Sequence, residues 1–383
     1  MAVWSEVSFQ DVVPSTRFDA EFYQPHFLHY AALTQTGAKL ETQAAISHPT
    51  EVVRIYEEEG IQIMLAQNVR ANRLDFSHTA FMAANMAHNL RRNLLQPNDV
   101  VMTRSGANYG DTAVYRGSPI ALYACADVLI LRPKEMLGGY LSTFFNTKIG
   151  RALLDRGAYG AAQPHIAPNY LNNLRVPHFP NYEKAVDETV EAAYAAEARA
   201  LELYTEAETL LLDALGLNNL DATHAIAYER NFREVARAGR FDAQYFQPKY
   251  TELMSALDKA SQYPGWSVET IGELSAPLKY GTSSPLEYIS SGVPFLRIAD
   301  VVKDDFDKKS LKHISAEQAI AEKGAIVRTD DVIVSRSGTL GLTIAISNEL
   351  DGAIFGSYFI RTRPNTNKVH PLYLSLFTST ARG

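Results

Sequence analysis

Cysteine is almost missing from this chain: 383 residues contain one, Cys125. That excludes an intrachain disulfide and a cysteine-based zinc site. With no nucleophile motif around it, Cys125 reads as a small buried hydrophobe in the run Ala121 to Ile130. Long apolar runs are also lacking, since nothing approaches the roughly 18 to 20 apolar residues of a membrane helix. Residues 1–20 have no basic region followed by an apolar one. The expected location is the cytoplasm, with no membrane partner. Enzyme signatures are absent as well: no Gly-x-x-x-x-Gly-Lys loop, no His-Glu-x-x-His and no Asn-Pro-Pro-Tyr occurs. The string Ala167-Pro168-Asn169-Tyr170 has the wrong order for the last of these. His26 and His29 share helical spacing without a third ligand, which favours a packed or surface pair over a metal site.

Low-complexity tracts are absent too, and 46% of the residues are hydrophobic. The composition is that of a globular protein with room for two or three domains. The net charge of −7 argues at first sight against a nucleic-acid partner. It is concentrated, however: residues 182–213 carry nine acids and two bases, also a net of −7, so the remainder sums to zero. A neutral remainder can carry a basic face, although composition does not display one.

What the chain does have is a duplication. Arg17-Phe18-Asp19-Ala20-Glu21-Phe22-Tyr23-Gln24-Pro25 returns as Arg240-Phe241-Asp242-Ala243-Gln244-Tyr245-Phe246-Gln247-Pro248. Farther on, Gly60 to Met64 lies over Gly292 to Leu296, and Asp99 to Gly106 over Asp331 to Gly338. Arg132-Pro133 then meets Arg363-Pro364, and Tyr140-Leu141 meets Tyr373-Leu374. Solenoid repeats run to about 20 to 50 residues, so a period this long is a repeated domain. With Tyr373 over Tyr140, the second copy reaches only the position of Gly150, and the reading expects it to be C-terminally incomplete.

Within the first copy, Ser8 to Tyr30 predicts an extended lead-in to a short helix. Short apolar runs at Val52–Ile55, Ile61–Leu65, Asp99–Thr103, Thr112–Tyr115 and Val128–Leu131, separated by turn residues, predict strands. Tyr140 to Leu154 reads as a helix, and Leu171 to Pro177 as a closing strand. Tyr182 to Leu215 is the clearest helix, without Gly or Pro, about 50 Å long and ended by Gly216. Val186, Val190, Tyr194, Leu201, Tyr204, Leu211 and Leu215 recur along it as one apolar stripe, which asks for an antiparallel helix or another subunit. These seven are the candidate partner interface. The expected fold is α/β (α+β): a first domain over 1–180, a spacer helix over 181–216 and a second domain over 217–383.

The two Arg-Phe-Asp-Ala-x-x-x-Gln-Pro phrases carry a resemblance. So do the two Asp-Val-(Val/Ile)-(Met/Val)-(Thr/Ser)-Arg-Ser-Gly segments, and Tyr280-Gly281-Thr282-Ser283 ahead of Gly292 to Arg297. With the closing pattern Gly160, Gln163, Ile166, Leu171, Leu174, Val176-Pro177 before the long helix, the whole chain resembles the specificity subunit of type I restriction-modification systems. The resemblance implies two target-recognition domains joined by a long central helix, each reading half of a bipartite site in double-stranded DNA. It implies docking to modification (methyltransferase) subunits and a restriction subunit. It also implies no catalysis and no cofactor bound by this chain, with S-adenosylmethionine, ATP and Mg used by the partners. The family's second domain normally closes into a helix that pairs with the central one, and this sequence departs from that pattern.

Candidate DNA-binding residues follow from the loops. Arg104, Ser105 and Asn108 lie in a Gly-containing loop straight after a strand, and Arg336, Ser337 and Thr339 repeat it. Residues shared by two domains that read different sequences suit phosphate contact or scaffolding better than base contact. Positions that differ are better base readers: Gln67, Asn68, Arg70, Asn72 and Arg73 in the first copy, and Arg297, Asp300 and Lys303 in the second. Gln163, His165 and Asn169 join them from a late polar loop. For each taken singly, a solvated loop residue is the competing reading. Lys308, Lys309 and Lys312 form a small basic run, more simply a solvated face. The Arg-Phe-Asp phrases are assigned to architecture, by a local Arg–Asp pair or by holding a partner subunit. Two other functions stay open. One is an interaction fragment acting through the helix as a dimer or methyltransferase binder, and the other is an enzyme with a site near Gln163 and His165.

Overall fold

The computed structural model describes residues 4–15, 17–76, 79–106, 108–160, 163–218, 223–302, 305–308, 310–338 and 340–380. It is a mixed α/β protein of two compact units, Met1–Arg199 and Ala200–Gly383, divided within the helix Pro180–Leu215.

In the first unit a four-stranded antiparallel sheet runs in the order Ala44–Ser47, Val128–Pro133, Val100–Thr103, Thr112–Val114. A three-stranded sheet places Ile61–Met64 between antiparallel Ala80–Met82 and parallel Leu122–Ala124. Strand alternation splits the apolar residues into two cores. Leu129, Leu131, Val100 and Met102 face the helices, packed with Leu141, Phe145 and Leu154. Val128, Ile130 and Val101 face the second sheet, with Ile63, Met64 and Leu122.

The second unit rebuilds this order. Its four strands run Ser275–Tyr280, Phe359–Pro364, Val332–Ser335, Thr343–Ala345, and its three run Lys312–Ile314, Val293–Leu296, Ile354–Phe355. The register repeats as well: Val100 opposes Leu131 and Val114, and Val332 opposes Thr362 and Ala345. The phrase that opens each copy has one local job. Asp19 accepts from Arg17 Nε at 2.5 Å and from Phe22 N at 3.1 Å, capping the short helix Ala20–Tyr23. Asp242 accepts from Arg240 Nε at 2.8 Å and from Tyr245 N at 3.1 Å, capping Ala243–Phe246. The aromatic faces of Phe22 and Tyr245 lie under the two guanidinium groups.

Several expected elements differ. Residues 52–55 form no strand, whereas Ala44–Ser47, Ala80–Met82 and Leu122–Ala124 do. The helix expected over 140–154 is two, Gly138–Asn146 and Lys148–Gly157. It breaks because Thr147 is extended and caps the second helix, its Oγ1 accepting from Gly150 N at 3.2 Å. Asn146 meanwhile donates sideways to Thr112 O at 2.6 Å. The closing strand is mostly the helix Pro168–Asn173, started by Pro168 in its first turn. Only Arg175–Val176 pairs as a strand, with Ala38–Lys39.

The helix Pro180–Leu215 forms as expected, and Gly216 ends it at φ 68. Its stripe does not act as one face. Val190 and Tyr194 pack on the first core, and Tyr194 Oη donates to Val114 O at 2.8 Å. Val186 is half-buried. Leu211 and Leu215 are buried with Leu217 and Ala260 in the second unit. Leu201 and Tyr204, between them, are 62% and 52% exposed. The expectation that the whole stripe asks for one antiparallel helix or another subunit is therefore corrected, because the chain's own units take both of its ends. Among the described residues, no helix is long and apolar enough to cross a membrane, and no group of three or more His, Cys, Asp or Glu could hold a metal.

Candidate nucleic-acid interface

In the first unit the loop after Val100–Thr103 is closed at both ends by backbone. Arg104 N donates to Asp127 O at 2.7 Å, and Gly110 N to Thr103 O at 2.7 Å. Gly106 and Gly110 have φ of 95 and 78, conformations that a side chain would strain. The second unit repeats the closure: Arg336 N donates to Tyr358 O at 2.8 Å, Gly341 N to Ser335 O at 3.0 Å, and Gly338 and Gly341 have φ of 79 and 75.

The loop meets the late polar segment. Ile166 N donates to Arg104 O at 3.0 Å, and Ser105 is bridged to His165. Ser105 Oγ donates to Asp127 Oδ1 at 3.1 Å, while Arg54 Nη2 donates to Asp127 Oδ2 at 2.6 Å. Burial works to raise the Asp127 pKa, but Arg54, with Ser105 and Arg104, holds the carboxyl below its ordinary value. Arg104 Nη1 lies 3.1 Å from His48 Nε2 and 3.5 Å from Ala126 O. Arg104, Ser105 and His165 are thus brought together, joined by His48, Arg54 and Asp127, which the sequence reading did not single out. His165 Nδ1 is buried without a hydrogen-bond partner. Gln163 and Asn169 are exposed nearby in sequence, Asn169 within the helix Pro168–Asn173.

The strand that leaves this loop, Thr112–Val114, meets the hairpin Val69–Arg70/Arg73–Leu74. Asn72 turns it at φ 58, its N donating to Thr112 O at 2.8 Å and its Oδ1 accepting from Asn146 Nδ2 at 2.8 Å. Burial raises the pKa of Asp111 beside it, opposed by Arg151 and Arg70. Tyr109, desolvated and donating to Asp155 Oδ1 at 2.7 Å, is pushed up to about 12. Gln67 is exposed, and Arg70, Arg73 and Asn108 are half-buried.

Two candidates stand inside the protein instead. Asn68, 2% exposed, accepts from Leu65 N at 2.7 Å and donates to Asp75 O at 2.8 Å. Asp300, at the matching turn and also 2% exposed, accepts from Arg297 Nε at 2.8 Å. In this conformation both side chains hold the turn and neither faces a groove. Arg297 lies over the Tyr288 ring at 5.6 Å, and Arg336 over Tyr280 at 4.8 Å. Ser337 is half-buried; Lys308 pairs with Glu349 and Lys312 is exposed. Lys303, Lys309 and Thr339 lie outside the described residues.

A second shared feature sits at the other end of the same strands. Asp99, 1% exposed, accepts from Arg132 Nε and Nη2, each at 2.7 Å, and from Gln96 N at 2.7 Å. Asp331, also 1% exposed, accepts from Arg363 Nε at 2.6 Å, Arg363 Nη2 at 2.7 Å and Arg328 N at 2.8 Å. The repeated Asp and Arg were legible in the sequence, but their pairing was not.

The architecture is that of a tandem α/β protein, one two-sheet unit built twice with a long helix between the copies. No family model matches the chain. Over 103 residues it is 28% identical to the type I restriction enzyme EcoBI specificity subunit of Escherichia coli, a match covering 27% of this chain and 22% of that protein. The match thus spans about a fifth of the curated relative's length. Among solved structures, the chain is similar to the type I restriction-modification S subunit from M. genitalium, at 14% identity and a TM-score of 0.35 over 90% of this chain and 76% of that one. It is similar also to the HsdS subunit from Thermoanaerobacter tengcongensis, at 14% identity and a TM-score of 0.29 over 90% and 78%. The resemblance read from the repeated phrases and the 103-residue match point to the same class: the chain is similar to type I restriction-modification specificity subunits.

Proposed function

We propose that this chain is a noncatalytic DNA-recognition subunit of a type I restriction-modification complex. The observation that carries the reading is the exact-order repetition of both sheets, with the strand-end loops 104–110 and 336–341 closed by the same backbone bonds. Two copies of one surface suit two halves of one DNA site. Each unit reads one half-site, Arg104 and Arg336 serving as shared contacts and Gln67, Arg70, Asn72, Arg73, Gln163 and His165 as residues peculiar to the first copy. Backbone-directed contacts set the register, and the residues that differ specify bases.

The same reading places the protein in the cytoplasm, docked to modification subunits that use S-adenosylmethionine and to a restriction subunit that uses ATP and Mg. The test is electrophoretic retardation of random-sequence duplexes by the full chain together with a neighbouring methyltransferase subunit. Retention of a subset of duplexes in the presence of excess nonspecific DNA is expected. Uniform retention, or none, would overturn the reading.

A further inference from the structure

We infer that one rim of the four-stranded sheet in each repeat is a phosphate-binding patch that grips the sugar–phosphate backbone of duplex DNA. Arg91, Arg92 and Arg132 form it in the first repeat, and Lys323, Arg328 and Arg363 in the second. The inference deepens the DNA-recognition reading and rests on it for the source of the phosphate.

In the first repeat these three arginines line a cleft of about 250 Å³ together with Ser47 and Gln96. The carboxylate beneath them, Asp99, is buried and already accepts from Arg132 and Gln96 N, so it offsets one cationic charge of the three. Arg91 leans on His88, its Nη2 3.1 Å from Nδ1, and Arg92 is exposed. Both bonds from Arg132 to Asp99 use Nε and Nη2, which fixes the guanidinium plane and leaves Nη1 outside the pair. A fork held this way is preorganised for a second oxyanion.

The second repeat arrives at the same charge with different residues. Lys323 stands where Arg91 does, Arg328 where Gln96 does, and Arg363 repeats Arg132 in its pairing with Asp331. Arg361 occupies the place of Ile130, across the sheet from Lys279, and its Nε lies 3.9 Å from Asp331 Oδ2. That Nε is buried without a hydrogen-bond partner. Arg328, Arg361 and Arg363 therefore gather about Asp331 and the exposed Asp351, which Arg328 approaches at 3.4 Å. Outside residues 182–213 the chain is neutral, and these rims are places where its positive charge is gathered.

Phosphate fits the arrangement because both domains keep the charge while varying its bearers, as a sequence-independent contact requires. In the first repeat Arg132 is four residues beyond Val128, the residue opposite Thr103. That sets the patch about 13 Å along the strand from the Arg104 loop. Loop and patch can engage one duplex at separate points, the patch contributing affinity without choice of sequence.

The experiment is fluorescence anisotropy of the full chain with a labelled 30-base-pair duplex across a series of KCl concentrations, for the natural protein, Arg91→Ala/Arg92→Ala and the single reversal Arg92→Glu. The log–log salt slope is expected to become shallower by about 1.8 in the double variant, roughly 0.9 per cation removed, with affinity for all duplexes reduced alike. An unchanged slope with DNA binding intact would overturn the patch and leave the recognition reading standing. If the natural protein binds no duplex, the recognition reading falls, and calorimetry with pyrophosphate decides the patch. Heat lost in the double variant would keep it as a phosphate site, and no heat in either protein would end it. Loss of affinity for the methyltransferase subunit, with DNA binding intact, would reassign the patch to a protein contact. Arg92→Glu, one change at an exposed turn, guards against a folding defect in the double variant.

Discussion

Replacing Arg132 by methionine removes the guanidinium from a carboxylate that is itself buried. Asp99 is 1% exposed and would keep one donor, Gln96 N at 2.7 Å. Breaking a fully buried pair costs about 3–5 kcal/mol. Arg132 itself is 42% exposed, so water can enter where its guanidinium stood, and the expected cost falls to about 2 kcal/mol. Arg363→Met poses the same question to Asp331, but there Arg361 remains 3.9 Å away. The expected loss in the second unit is about 1 kcal/mol. Hydrogen exchange separates the two units, because the amides of Val100–Thr103 and Val332–Ser335 each report the opening of their own sheet. Exchange should accelerate about 30-fold in the first strand for Arg132→Met and about fivefold in the second for Arg363→Met. Adding Asp99→Asn to Arg132→Met removes the stranded charge and should restore most of the protection. Unchanged exchange in Arg132→Met, or a larger effect from Arg363→Met, would refute the account of these pairs.

Leu211→Ala should cost about 2–3 kcal/mol in urea unfolding, since Leu211 is 7% exposed within a small cluster. Leu201→Ala, at a position 62% exposed, should stay within about 0.5 kcal/mol, and equal losses would contradict the division of the helix stripe. Gly157→Ala would place a methyl group 1.9 Å from the Tyr170 ring, whose hydroxyl donates to Leu153 O at 2.6 Å. A loss of about 1–3 kcal/mol by thermal melting is expected, and an unchanged melting temperature would show that the ring can move aside. The Arg54–Asp127–Ser105 linkage has a defined pH window. Because the folded Asp127 pKa lies below its ordinary 3.8, the contribution is complete above that value and is lost as the pH falls through the lower folded value. Exchange at Arg104 N and Ile166 N should therefore be protected to the same extent from pH 8 to 5 after correction for intrinsic rate. Protection lost near pH 6 would contradict it.

The duplication and most of its strands were legible because identity at a fixed offset and short apolar runs are local signals. Ile61–Met64, Val100–Thr103 and Val128–Pro133 each carry their own pattern. Ala44–Ser47 and Leu122–Ala124 do not, and they become strands only through their neighbours. The break at Thr147 escaped because a cap that accepts from Gly150 N competes with an apolar period running straight through it. The site divided in the same way. Loop composition pointed to Arg104 and His165, which do converge, whereas Asn68 and Asp300 have loop-like polarity and turned out to be buried fastenings. Polarity alone does not tell a solvated side chain from one that satisfies buried backbone. The stripe on the long helix was correctly seen as apolar. What covers it depends on contacts far away in sequence, Val114 at one end and Ala260 at the other.

The most direct measurement of the central claim is selection from a random duplex library by the full chain with the methyltransferase subunit proposed as its partner, at two salt concentrations, followed by sequencing of the bound DNA. The account predicts a bipartite motif, two short half-sites at a fixed spacing, that persists at the higher salt. A bound pool with no enriched sequence, at either salt, would contradict it.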